Sequence, residues 1–231
     1  TTATATGTEN VYVDAVIDMI AFDAKTAAHN VRVFRDRVRH FVFCSTVCVY
    51  GGPLTNIPAN ESEPHRPVSE YGRNKSKAEA IYAKAFREIG FPVTVMRPSH
   101  CYGPGQPLLD IWGYNPSLVT RIRKGKPIIV PGDGQGLWQP GYIGDMAKGF
   151  VGALGRKQTL GKAYNISNGA PVPLIEAIAV LTFVSFSALV AFAARQVWPK
   201  LPLAALAAIT VVLAAIALWF YFANWSGVAL K

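Results

Sequence analysis

The chain has 231 residues, with 23 basic and 14 acidic side chains and a formal net charge of +9. Hydrophobic residues make up 51% and charged residues only 16%, which excludes an intrinsically disordered chain. Three cysteines exclude a disulfide framework and point to reduced thiols in an intracellular setting.

Taken in chain order, the eight amino-terminal residues (TTATATGT) carry no basic-then-apolar signal pattern and read as a linker, a processed end or a fragment end. Asp14 to Ala21 is a short apolar run and predicts a buried strand. Ala24 to Val38 places Ala, Val and Phe at helical spacing. His40 to Cys48 (HFVFCSTVC) is strongly β-prone. Tyr50 to Pro67 is rich in Gly, Pro and Asn and predicts a loop. Ser69 to Ile89 predicts a helix, with Ser69 as N-cap and Gly90 just past its end. Phe91 to Met96 predicts a third strand, Asn115 to Lys124 a helix, and Pro127 to Val130 begins a fourth apolar run. A Gly-rich turn (132–136), a helix from Asp145 to Leu154 and a strand from Lys162 to Ile166 follow. Strands alternating with helices imply an α/β fold with a parallel sheet and helices on both faces.

The basic residues are dispersed. Arg32, Arg35, Arg37 and Arg39 form the densest group and read as a solvated helix face; no nucleic-acid motif surrounds them. Cys44, Cys48 and Cys101 sit in apolar runs and read as core. His29, His40, His65 and His100 complete no zinc spacing, so no metal is expected.

Tyr71 and Lys75 lie four apart in the predicted 69–89 helix and so share one face. An ammonium one turn from a phenol favours the phenolate, lowering a pKa that starts near about 10. Such a tyrosine serves as acid or base for a hydroxyl or carbonyl. On its own, a tyrosine beside a solvated lysine is an ordinary pair; the surrounding motifs change its meaning. FVFCSTVCVYGG precedes it, with Thr46 lying 25 residues before Tyr71, and VMRPSHCYGPGQ follows at 95–106.

With these three motifs in this order, residues 11–175 resemble the extended short-chain dehydrogenase/reductases, the NAD(P)-dependent epimerase/dehydratase group. The resemblance implies a Rossmann-like sheet and NAD or NADP as cofactor. It makes Thr46 the hydroxyl that holds the reacting oxygen, Tyr71 the acid/base, and Lys75 the residue that tunes Tyr71 and holds the nicotinamide ribose. It places Met19, Ile20 and Ala21 along the cofactor, and Pro98 and Ser99 beside the nicotinamide. The implied reaction is hydride transfer coupled to proton transfer on a hydroxy or keto substrate, including a sugar-derived one.

DAVIDMIA matches the family's fourth strand, so the fold is expected to be truncated, without the earlier strands and the Gly-rich phosphate turn. Gly149, Gly152 and Gly155 mimic that glycine spacing but follow Asp145-Met-Ala-Lys, not a strand, and are rejected as a phosphate loop. Leu137, Trp138 and Gln139 stand where sugar-nucleotide members usually carry a phosphate-binding arginine, which argues for another hydroxy or keto substrate.

Residues 174–231 carry only Glu176, Arg195, Lys200 and Lys231 as charges. Residues 177–194 are uncharged, as are 201–230. At about 1.5 Å per residue, about 20 residues cross about 30 Å of hydrocarbon. A membrane hairpin is therefore expected, with Trp198, Trp219, Tyr221 and Trp225 at its interfaces. Arg156, Lys157 and Lys162 favour a cytoplasmic soluble domain, whereas Arg195 and Lys200 favour a cytoplasmic turn between the two helices; for a two-helix hairpin both cannot hold. The expected organisation is an extension (1–10), a partial Rossmann-like domain (11–173) and an apolar hairpin (174–231). The competing expectation is a non-catalytic accessory subunit of a membrane protein assembly, derived from the same family.

Overall fold

In the computed structural model, the described residues are 12–105, 117–130, 132–167 and 171–174, with scattered positions between 177 and 212. The elements are β1 (Val13–Asp18), α1 (Ala24–Phe34), β2 (Val38–Cys44), α2 (Glu70–Ile89), β3 (Val93–Pro98), β4 (His100–Tyr102) and α3 (Ser117–Arg123), followed by β5 (Leu137–Trp138), β6 (Pro140–Tyr142), α4 (Ile143–Ala153), β7 (Ala163–Ile166) and β8 (Val172–Pro173). The chain divides into two compact units, residues 1–108 with 139–171 and residues 109–138 with 172–231.

The first unit is built on a parallel four-stranded sheet in the order β1-β2-β3-β7. Its register pairs Ile17 with Val42, Phe43 with Val95 and Met96 with Tyr164. Side chains alternate across a strand, and β2 uses both faces. Phe41 and Phe43 enter a core with Ala78, Tyr82 and Phe91 under α2, with Ala27 of α1 in the same cluster. Val42 packs with Met96, Phe150 and Ala153 on the α4 side. Burial on both faces explains why β2 reads as a continuous apolar run. A second parallel pair, β4 with β6, completes this unit.

Helix α2 is delimited as its sequence predicts. Ser69 accepts a hydrogen bond from the Gly72 amide at 3.0 Å, the usual N-cap contact. Gly90 closes the helix at φ +67°, a left-handed conformation that suits glycine. Gly149 and Gly152 lie inside α4, in agreement with their rejection as a phosphate turn.

Several expectations need correction. α1 stops at Phe34 rather than Val38, because Arg35 turns extended and Asp36 adopts φ +59°. Only Arg32 of the arginine group is therefore helical, although all four arginines are exposed. β1 is not a buried strand: Asp14, Ala15 and Ile17 are exposed, and β2 is its only strand partner among the described residues. β2 ends at Cys44, and Val47–Val49 form a short 3-10 turn.

In the second unit, α3 is followed by a turn in which Arg121 donates through Nε (2.9 Å) and Nη2 (2.6 Å) to the Pro127 carbonyl. Residues 126–130 form no strand, and Ile129 is exposed. β5 and β8 pair antiparallel. The expected membrane hairpin at 174–231 falls almost entirely outside the described residues. Among those described, no helix is long and apolar enough to cross a membrane. Residues 1–11 likewise lie outside the described part.

Candidate functional site

Adjacent parallel strands bring their carboxyl ends to one edge, where open α/β sheets bind ligands. Three exits meet there: residues 19–21 after β1, 45–49 after β2 and 98–99 at the end of β3.

The first exit is shaped by Asp18. Its Oδ1 accepts from the amides of Ile20 (2.9 Å) and Ala21 (3.0 Å), and its Oδ2 accepts from Asn30 Nδ2 (2.8 Å) and the Tyr82 hydroxyl (3.2 Å). Four donors on one carboxylate hold the turn. Met19 and Ile20 are left 52% and 76% exposed, an apolar ledge at the strand end. Ala21, expected on the cofactor with them, is fully buried, and only its carbonyl takes part in the site.

The second exit carries Thr46. This residue is buried, and its Oγ1 accepts from the Cys48 amide at 3.2 Å, capping the 3-10 turn. That side-chain bond diverts the backbone from the sheet, which is why the β-prone run stops short of Cys48. The turn lies hard against the start of α2. A Cβ at Gly72 would sit 2.3 Å from the Cys48 carbonyl oxygen, so only glycine permits this approach.

Helix α2 supplies Tyr71 and Lys75. Tyr71 is 43% exposed and its ring lies 6.3 Å from that of Phe22. Lys75 is 1% exposed, yet its ammonium is well supported. Nζ donates to the carbonyls of Ala21 (2.9 Å) and Cys44 (2.7 Å). It also lies 4.7 Å from the Phe22 ring centroid, 5.0 Å from that of Phe43 and 5.8 Å from that of Tyr71, within cation–π range. Burial pulls the Lys75 pKa below the ordinary lysine value, while Cys44, Asp18 and Glu79 oppose the shift. Thus α2 holds both strand exits through one side chain, and the phenol rests beside that ammonium.

The third exit presents Pro98 and Ser99, both half-buried. The Ser99 amide donates to the Ile166 carbonyl at 2.9 Å. Its Oγ is buried and has no hydrogen-bond partner among the described residues. Cys44 and Cys101 are half-buried, and burial pushes the Cys44 thiol up to about 11. Cys48 is exposed, so its reading as core is wrong.

Sequence reasoning missed the polar network behind this edge. Glu79, one turn beyond Lys75, accepts from the Ser45 hydroxyl. It also binds Arg97 of β3, with Nε to Oε1 at 3.0 Å and Nη2 to Oε2 at 2.6 Å. Arg97 Nη1 donates to the Tyr50 hydroxyl at 2.7 Å, and that hydroxyl donates to Asn165 Oδ1 at 2.7 Å. His65 Nε2 faces Arg97 Nη2 at 3.0 Å and must accept, because guanidinium only donates. Its Nδ1–H then donates to the Ser76 hydroxyl at 2.9 Å. The i, i+4, i+8 spacing of Tyr71, Lys75 and Glu79 was the available signal; the partner on β3 had none.

The model of the NAD dependent epimerase/dehydratase family matches residues 7–167. It does not show the expected loss of a nucleotide-binding portion. An uncharacterized UDP-glucose epimerase, YtcB, of Bacillus subtilis (strain 168) is 28% identical over 167 residues, which are 69% of this chain and 51% of that protein. The dTDP-D-glucose 4,6-dehydratase of Homo sapiens is 28% identical over 151 residues, 65% of this chain and 40% of that one. The chain thus spans about half the length, or less, of these curated relatives. Among solved structures, a dTDP-glucose 4,6-dehydratase from Bacillus anthracis in complex with NAD matches with a TM-score of 0.61 at 23% identity, covering 74% of this chain and 57% of that one. A UDP-glucuronic acid 4-epimerase from Bacillus cereus, in complex with UDP-glucuronic acid and NAD, matches with a TM-score of 0.61 at 24% identity, covering 71% and 51%. These structural likenesses establish a Rossmann-like α/β fold.

Proposed function

The chain belongs to the NAD dependent epimerase/dehydratase family, and from that premise we propose that it acts in nicotinamide-dependent oxidation and reduction of a sugar nucleotide, with Thr46, Tyr71 and Lys75 as its reacting group. The observation that carries this reading is the convergence of Lys75 on the exits of β1 and β2, beside Tyr71. The named relatives support the substrate class. This choice departs from the expectation drawn from Leu137, Trp138 and Gln139.

The described residues fit the nicotinamide end of the cofactor. Met19 and Ile20 offer an exposed apolar ledge, and Ser99 holds a buried hydroxyl with no hydrogen-bond partner among the described residues. Lys75 has committed two of its three N–H donors to carbonyls. When bound, the nicotinamide supplies a hydride acceptor or donor. In oxidation of a carbinol, the carbon loses a hydride and its oxygen loses a proton. Tyr71 takes that proton at its phenolic oxygen and returns it in the reverse direction. Thr46 donates its hydroxyl hydrogen to the reacting oxygen, while the Lys75 charge favours the phenolate.

The test is incubation of the protein with NAD and, separately, UDP-glucose, dTDP-glucose and UDP-glucuronic acid. Nicotinamide absorbance and the NMR spectrum of the sugar are followed. Conversion that disappears in Tyr71→Phe supports the reading. Conversion that persists unchanged in Tyr71→Phe overturns it, as does failure to bind NAD.

The uncharged run 201–230 supports a second reading, a membrane-attached accessory subunit whose soluble part is cytoplasmic. Release of the protein from membranes by alkaline carbonate counts against it, and retention supports it.

A further inference from the structure

We infer that Glu79, held by Arg97, is a positioning residue that sets Thr46 opposite Tyr71 through the hydroxyl of Ser45. The inference rests on the reading of Thr46 and Tyr71 given above, and assigns a role to residues outside that reacting group.

Thr46 is gripped on both sides by α2. Before it, Lys75 takes the Cys44 carbonyl at 2.7 Å and Glu79 takes the Ser45 hydroxyl. After it, the Cys48 carbonyl is seated against Gly72. Ser45 is also tied to β3, its amide donating to the Met96 carbonyl at 2.7 Å. The same helix carries Tyr71, two turns before Glu79. The distance between hydroxyl and phenol is thus set by one rigid helix and two consecutive anchored residues. Sites held by such supporting bonds keep the narrow geometry that catalysis needs.

Glu79 would be a poor anchor alone, because an unpaired buried carboxylate is costly. Arg97 meets both of its oxygens, a fork geometry that fixes the carboxylate plane. Arg97 is in turn braced by the Tyr50 hydroxyl and His65. Although burial opposes the charge, Glu79 and Tyr50 hold the Arg97 pKa above its ordinary value. The chain of contacts therefore runs from β7 through Asn165, Tyr50, Arg97 and Glu79 to Ser45.

Ser45→Ala tests this without stranding a buried charge, because Glu79 keeps Arg97. Expected are normal NAD affinity and a kcat on UDP-glucose or dTDP-glucose lower by about 10- to 100-fold, the scale of a 1 Å misplacement. The loss should vanish in a Thr46→Ala background, since a residue that acts only through Thr46 has nothing left to position. Hydrogen exchange at the Cys48 amide should quicken. Glu79→Gln keeps an acceptor for Ser45 but weakens the Arg97 pair, and should give a smaller kcat loss with KM for NAD unchanged. Wild-type turnover in Ser45→Ala overturns the inference. So does a loss that adds in full to Thr46→Ala, or unchanged exchange at residues 46–49. Full turnover in Thr46→Ala itself overturns instead the reading of Thr46 as a reacting group, so the two failures are separable.

Discussion

Lys75 donates to the carbonyl of Ala21 at 2.9 Å, joining a helix residue to a strand exit 54 positions earlier. The same ammonium reaches Cys44 and sits among three aromatic rings. Lys75→Met strands two carbonyls and should cost about 1–3 kcal/mol for each left unsatisfied. Urea denaturation measures this directly. On the proposed reading of Lys75 as a cofactor-holding residue, NAD affinity should fall in Lys75→Met and should not return in Lys75→Arg, because a planar guanidinium cannot replace a compact ammonium in this packing.

On the proposed reading of Thr46 and Tyr71, substitutions at the two positions should fail to different degrees. Tyr71→Phe removes the proton carrier and should lower kcat by about 10²–10⁴-fold. Thr46→Ala removes a hydrogen-bond donor to the reacting oxygen, worth about 10²–10³-fold. It also uncaps the 3-10 turn at a cost of about 1 kcal/mol. Thr46→Ser should retain most activity, because the hydroxyl serves both purposes. Steady-state kinetics and thermal unfolding of the four proteins separate the effects.

Gly72→Ala introduces a methyl group 2.3 Å from a backbone oxygen, so either the helix or the turn must move. A stability loss of about 1–3 kcal/mol is expected from such overpacking, together with reduced kcat. A protein as stable and active as the unaltered chain would show that the approach is not required.

Acid should weaken the fold through two histidines. The Gly155 amide donates to His40 Nδ1 at 2.9 Å, so the neutral ring must donate through Nε2 to Thr94. Burial lowers the His40 pKa, and burial likewise lowers that of His65, where Glu79 pulls upward and Arg97 downward. The folded values lie below the unfolded value of about 6.5, so the unfolded chain binds the extra protons first. Their contribution to stability is fully present above that pH and is lost as the pH falls toward the folded values. His40→Gln should flatten this dependence in denaturation midpoints measured across mildly acidic buffers.

Much of the fold is legible in local patterns. Ser69 and Gly90 bracket α2, and the two-sided apolar run of β2 announces a buried parallel strand. Thr46, Tyr71 and Lys75 stand out as candidates only through the family resemblance that their neighbouring motifs carry. What local pattern hides is long-range pairing. Arg97 in VMRPS carries no local sign of its partner, Glu79, which lies 18 residues away on α2. Cys48 reads as strand core because nothing in HFVFCSTVC announces that Thr46 will bond the amide two residues on. β1 reads as buried because its composition is apolar, while burial depends on which strands and helices cover it.

Along α2, residues 71, 75, 79 and 82 form one stripe that passes from half-open to sealed, the last being the fully buried Tyr82. Within this stripe polarity also varies lengthwise. A helical wheel would superimpose these four side chains and report an apolar face spoiled by charge. Seen end to end, the stripe runs from the half-exposed phenol of Tyr71 through the buried Lys75 and Glu79 to Tyr82, whose hydroxyl closes on Asp18. Transplanting the first turn of this helix to another scaffold would therefore carry the letters of the motif without the footing beneath them.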